Sequence, residues 1–236
     1  MIQLSMRPAV GFPSNGRGSV YRIFEGVGRH ANENTGPAPD PVYVERDMPA
    51  NGFAEYRALR KRGGRAFVLW TDSSRQRVFA RVATRTSTRW GPAVFEITGG
   101  AGEPIGTVMR EPGCRGGRFR TRWTITPVGR EPMVGHKGQA GWWFVWWLFF
   151  PIQAAIAALM IASIFLGGGD GDLARMPRRI RWRDNVTGAV TLDYVDDVLR
   201  VTDGTAWDRR LPTALVTLLA TYPGVLAGPA WDTGQQ

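Results

Sequence analysis

Arg118, Arg120 and Arg122 occupy alternate positions of GRFRTRWTIT (117–126), and alternate residues of an extended strand share one face. Three guanidinium groups in such a row donate hydrogen bonds to phosphate or carboxylate oxygens, so the chemistry they suggest is anion binding, with Arg110 and Arg115 as neighbouring candidates. The opposite parity, Phe119, Thr121, Trp123 and Ile125, reads as a core face. Residues 179–183 repeat the arrangement, Ile180 and Trp182 alternating with Arg179, Arg181 and Arg183. A further cluster, Arg60, Lys61, Arg62 and Arg65, reads as a basic turn.

Catalytic chemistry finds little support. General acid–base work needs a proton acceptor within hydrogen-bond reach of its target. The two histidines, His30 in a polar loop and His136 beside an apolar run, have no serine or cysteine in a recognisable partner motif. Cys114 is the single cysteine, which excludes an internal disulfide and a cysteine-based zinc cluster. Asp193, Asp196 and Asp197 lack the alternating oxygen ligands of a calcium loop, and GFPSNGRG (11–18) lacks the lysine–serine pair of a phosphate loop. The expectation is a protein that is not an enzyme and carries no metal and no cofactor.

Residues 142–167, WWFVWWLFFPIQAAIAALMIASIFLG, contain no charge. A run of this length suffices to cross the ~30 Å hydrocarbon layer as a helix. Trp142, Trp143, Trp146 and Trp147, with Phe149 and Phe150, suit headgroup depth, while Pro151 interrupts the helical ladder. Membrane insertion is therefore assigned to these seven residues. A single crossing, a re-entrant or surface-lying helix and a buried core element all fit the run itself. Arginines 175, 178, 179, 181 and 183 follow it, so a single crossing would leave the C-terminal part in the cytoplasm.

The 236 residues carry a formal charge of +10, concentrated before residue 168. Such a field favours an anionic surface. With an apolar anchor in the same chain, that surface is anionic membrane lipid, at the cytoplasmic face of the plasma membrane. A membrane protein partner is a second possibility. Nucleic acid is not expected, since no aromatic stacking platform runs in phase with the arginines. The alternative is a cell-envelope structural or protein-interaction module without a specific lipid ligand.

Short strand-like segments separated by Gly, Asp and Asn turns recur from residue 18 to residue 202, among them 18–25, 53–59, 66–70 and 77–84. Phe95-Glu96-Ile97-Thr98 followed by Gly102-Glu103-Pro104-Ile105 reappears 28 residues later as Trp123-Thr124-Ile125-Thr126 followed by Arg130-Glu131-Pro132-Met133. That is the grammar of a meander of similar hairpins. After Asp208, a cap candidate, Leu211, Leu215, Leu218 and Leu219 follow helical spacing in a segment apolar nearly all round. Such a helix needs protein on every side, and a barrel interior would supply it. The fold class read from these features is mainly β, with a closed antiparallel barrel around a buried C-terminal helix plus an apolar helical insertion. Residues 1–17 read as a flexible N-terminal segment, 18–224 as the barrel domain interrupted by 142–167, and 225–236 as a flexible tail.

The succession FEITGGAGEPIGTV (95–108), RTRWTIT (120–126), RIRWR (179–183), GAVTLDYVDDVLRV (188–201) and WDRRLPTALVTLL (207–219) resembles the tubby C-terminal-like superfamily, in its bacterial LURP-one-related and phospholipid-scramblase-like branch. The resemblance covers roughly residues 65–224 and implies a closed barrel surrounding one apolar helix. It also implies anionic-lipid recognition. Strands from both sides of 142–167 would then share one barrel, so both flanks of the run would lie on one side of a membrane.

Overall fold

The computed structural model describes residues 1–9, 20–27, 40–89, 91–113, 120–138, 179–184, 188–202, 207–222 and 230–233. Twelve strands form one closed antiparallel barrel in the order β1-β12-β11-β10-β9-β8-β7-β6-β5-β4-β3-β2. They are β1 (Ile2–Pro8), β2 (Tyr21–Val27), β3 (Val42–Arg46), β4 (Ala66–Trp70), β5 (Val78–Ser87), β6 (Ala93–Gly99), β7 (Pro104–Glu111), β8 (Arg122–Pro127), β9 (Met133–Lys137), β10 (Ile180–Arg183), β11 (Val190–Val195) and β12 (Val198–Val201). Helix α1 (Gly52–Lys61) connects β3 to β4, and α2 (Arg210–Leu219) follows β12. Each strand pairs with its sequence neighbour, and β1 closes the ring on β12 with Leu4 opposite Leu199. Closure removes the exposed edges an open sheet would present.

Alternation fixes which side chains face inward. In β6, Ala93, Phe95, Ile97 and Gly99 are buried and the residues between them are not; in β8, Trp123, Ile125 and Pro127 behave the same way. Every residue of α2 from Leu211 to Leu219 is buried, as the helix's all-round apolar composition requires. Full burial of each leucine contributes about 1.5–3 kcal/mol. The polar atoms within this apolar lumen are satisfied locally: the Thr213 hydroxyl donates to the Arg209 carbonyl (2.7 Å) and Thr217 to Thr213 (3.0 Å). Asp208 accepts from the Arg210 backbone N–H (3.0 Å) and from its guanidinium, which also reaches Glu103 in the β6–β7 turn. The start of α2 is thereby pinned to that end of the barrel, the proximal rim. Tyr222, just beyond α2, donates to the Gly63 carbonyl (3.4 Å) at the other end, the distal rim.

Several sequence expectations change. Residues 2–8, assigned to a flexible segment, form β1 and close the barrel. Residues 53–59, read as a strand, belong to α1, where Phe53, Tyr56 and Arg60 share a face and Tyr56 is buried. Strand β3 was not among the strand-like segments read from the sequence. All five of its residues are buried, the charged Glu45 and Arg46 included, so it shows no period of two. The tail is not wholly loose: Ala230, Trp231 and Asp232 are buried against the distal rim. There the Trp231 ring meets Tyr21 and Phe67, with centroids 5.1 and 4.9 Å away, and its indole N–H donates to the Thr217 carbonyl (3.3 Å).

Candidate anion-binding wall

Strands β8, β9 and β10 bring their outward residues into register. One cross-strand row runs Glu111, Arg122, His136, Arg181, Asp193, Arg200 and Gln3, from β7 through β12 to β1. Arg120, Arg179 and Arg183 flank that row, and together with Val134, His136, Gly138 and Arg181 they line an open cavity of about 370 Å³. The apolar partners of these arginines point the other way: Ile180 and Trp182 are buried, and the Trp182 indole N–H donates to the Trp123 carbonyl (3.2 Å). Gly135 makes this possible. Any Cβ there would fall 2.7 Å from Trp182 Cε2, so only glycine lets the indole lie across β9.

Two carboxylates temper the positive charge. Asp193 accepts from Arg179 Nε (2.8 Å) and Nη2 and stands 3.8 Å from Arg181 Nε; its hydrogen bonds raise the Arg179 pKa and keep that cation charged. Glu111 lies 3.6 Å from Arg122 Nε. Arg120 donates to the Gly138 carbonyl (3.2 Å) and Arg183 to the Gly188 carbonyl (3.0 Å), contacts that orient both guanidiniums without neutralising them. The wall therefore keeps a surplus of oriented cationic donors around an open cavity, the chemistry an oxyanion site requires.

The sequence-derived candidates divide. Arg120 and Arg122 lie on this wall. Arg110 does not: its register partners are Ala93 and Trp123, so it faces the lumen. Arg115 and Arg118 lie outside the described residues, as do Trp142, Trp143, Trp146, Trp147, Phe149, Phe150 and Pro151. Leu211, Leu215, Leu218 and Leu219 are buried in the lumen as expected. Arg179, Arg181 and Arg183 belong to the wall and were not among the binding candidates, although their own alternation had marked them as outward.

No protein-family model, curated protein or solved structure matches the chain. Its architecture, a closed twelve-stranded antiparallel barrel around a helix, is consistent with a tubby-like barrel fold. Among the described residues no helix is long and apolar enough to cross a membrane, and no group of three His, Cys, Asp or Glu is placed to hold a metal. The three aspartates near β11 have other roles. Asp193 is the wall's counter-ion, and Asp196 and Asp197 form the β11–β12 turn with φ of 49° and 63°. The Tyr194 hydroxyl donates to Asp197 (3.0 Å).

The described residues stop at Gly138 and resume at Arg179, and the Gly138 N–H donates to the Arg179 carbonyl (2.8 Å). Both flanks of 139–178, the stretch containing 142–167, thus sit at one point of the distal rim, beside the arginine cavity.

Proposed function

We propose that this protein is a membrane-associated, non-catalytic lipid-binding or tethering module of the LURP-one-related and scramblase-like kind, recognising anionic headgroups through the β8–β10 wall at the cytoplasmic face of the plasma membrane. The observation that carries the reading is one juxtaposition. Gly138 and Arg179, which line the basic cavity, are also the points where the chain departs toward the apolar run and comes back. An apolar segment held in a bilayer by ends that meet must return to its starting side, and it then delivers the adjacent guanidiniums to headgroup level. Each arginine near an anionic surface contributes about 1 kcal/mol.

The test is co-sedimentation of the full chain with phosphatidylcholine vesicles, with and without about a third of anionic lipid, across a salt series. Binding stronger on the anionic vesicles and falling steeply with salt is expected. Equal, salt-independent binding to both vesicle types would refute recognition by charge. A protein-interaction role is favoured by a different feature, a groove of about 520 Å³ on the outer face of β6–β8. There Glu96, Arg130 and Glu131 mix charges around Val128, which is 60% exposed. A partner bound there would leave the arginine wall free.

A further inference from the structure

The distal mouth of the barrel holds a second collection of guanidiniums, on the inner face of the sheet. Arg110 of β7 lies with its guanidinium carbon 4.3 Å from the centroid of the Tyr222 ring, and that of Arg65 is 4.9 Å from the same ring. The ring cannot swing away freely, since its hydroxyl donates to Gly63 and its edge meets Trp123 at 5.6 Å. The carboxylate brought to this mouth is Asp232, whose side chain is fully buried. It is taken up by Arg60 (2.7 Å) and Arg65 (3.2 Å), with the Tyr56 hydroxyl donating to it (3.4 Å).

Arg110 has no carboxylate partner among the described residues. Burial lowers the Arg110 pKa from its ordinary value and the nearby Arg65 charge lowers it further, while Tyr222 acts in the opposite direction. Arg65 has Asp232, but Arg110, partly desolvated beside it, is unfavourable until an anion of its own joins it.

We infer that Arg110 and Arg65, held against Tyr222, form a binding site for a small oxyanion of the phosphate or phosphomonoester class. The guanidinium fork matches the spacing of phosphate oxygens, and Arg110 retains some solvent exposure through which an anion can arrive. This site is distinct from the wall, because Arg110 and its chain neighbour Glu111 face opposite sides of the sheet, and it does not depend on the lipid reading.

Equilibrium dialysis of labelled inorganic phosphate decides the matter, using the full chain in mild detergent with Arg120, Arg181 and Arg183 changed to Gln so that the wall does not contribute. Saturable binding of about one phosphate per chain is expected. Adding Arg110→Gln should weaken it at least tenfold, about the effect of one charge-assisted contact. Arg110→Lys, which keeps the charge and loses the fork, should weaken it less, and it decides the question if the glutamine variant does not fold. Absence of saturable phosphate binding, or unchanged affinity in the folded Arg110 variants, would overturn the assignment. Short-chain phosphatidic acid as competitor then separates the sources: displacement below the concentration at which glycerol phosphate competes points to a lipid headgroup, and equal potency to a free phosphomonoester.

Discussion

Arg110 and Arg122 show how much a single residue's meaning depends on strand register. Both are arginines in the basic stretch of the sequence, yet β7 and β8 pair so that Arg110 lies opposite Trp123 and Glu111 opposite Arg122. One cation is therefore inside and the other outside. The sequence held the necessary sign in the parity of Val108 and Arg110, but composition drew Arg110 toward the arginines that follow it. A second residue-scale consequence concerns alkaline pH. Burial raises the Tyr56 hydroxyl pKa above its ordinary value of 10.0, Asp232 adds to the rise, and Arg65, Arg46 and Arg60 partly offset it. Unfolded Tyr56 releases its proton from about pH 10 while the folded protein retains it. The stabilisation is complete below pH 10 and is lost as pH rises above it, at up to about 1.4 kcal/mol per pH unit. Urea unfolding between pH 8 and pH 11 should show this decline, and Tyr56→Phe should make it shallower. Identical slopes would assign the alkaline loss to other groups.

At the scale of elements, legibility followed the hydrophobic period. Strands β6, β8 and β10 and helix α2 were readable because each has one dominant environment: alternating faces for the strands, complete enclosure for the helix. Strand β3 was hidden because Glu45 and Arg46 are buried with partners far along the chain. The Trp70 indole N–H donates to Glu45 (3.1 Å) and Arg46 donates to the Trp231 carbonyl (3.4 Å). Helix α1 was mistaken for a strand although Phe53, Tyr56 and Arg60 recur at helical spacing, because its ten residues bury only one side chain. Its C-terminal turn is legible in retrospect, with Gly63 at φ 89° just past the helix. The element-scale prediction concerns Gly135. Alanine there would place its Cβ 2.7–2.9 Å from Trp182 and Ile180, both buried, so Gly135→Ala should destabilise the barrel by about 1–3 kcal/mol. Denaturant unfolding measures it, and a change below about 0.5 kcal/mol would mean that Trp182 can move aside.

For the whole molecule, the two ends of the barrel differ in charge. Around the proximal rim Arg75, Arg77, Arg130, Arg209 and Arg210 are set against Glu25, Asp40, Asp72, Glu103, Glu131 and Asp208. The distal rim adds Arg60, Lys61, Arg62, Arg89, Arg120, Lys137 and Arg179 to the cations of the mouth, Arg65 and Arg110, against Asp47, Glu55, Glu111, Asp196, Asp197 and Asp232, and so keeps a surplus of positive charge. An anionic surface would orient such a molecule distal end first, the end where the flanks of residues 139–178 meet. Closure of one barrel from strands before and after residues 142–167 is the large-scale feature the sequence made legible. Which arginines share a wall required the register. The most direct measurement of the central claim compares two matched triple substitutions on vesicles containing anionic lipid. Arg120, Arg181 and Arg183 to Gln on the wall should weaken partitioning by about a hundredfold, from ~1 kcal/mol per arginine. Arg77, Arg81 and Arg85 to Gln, which remove the same charge on and just before β5, four strands from β9, should change it less than about fivefold. Equal losses from the two variants would show that net charge alone drives binding and would contradict the wall as the lipid-facing surface.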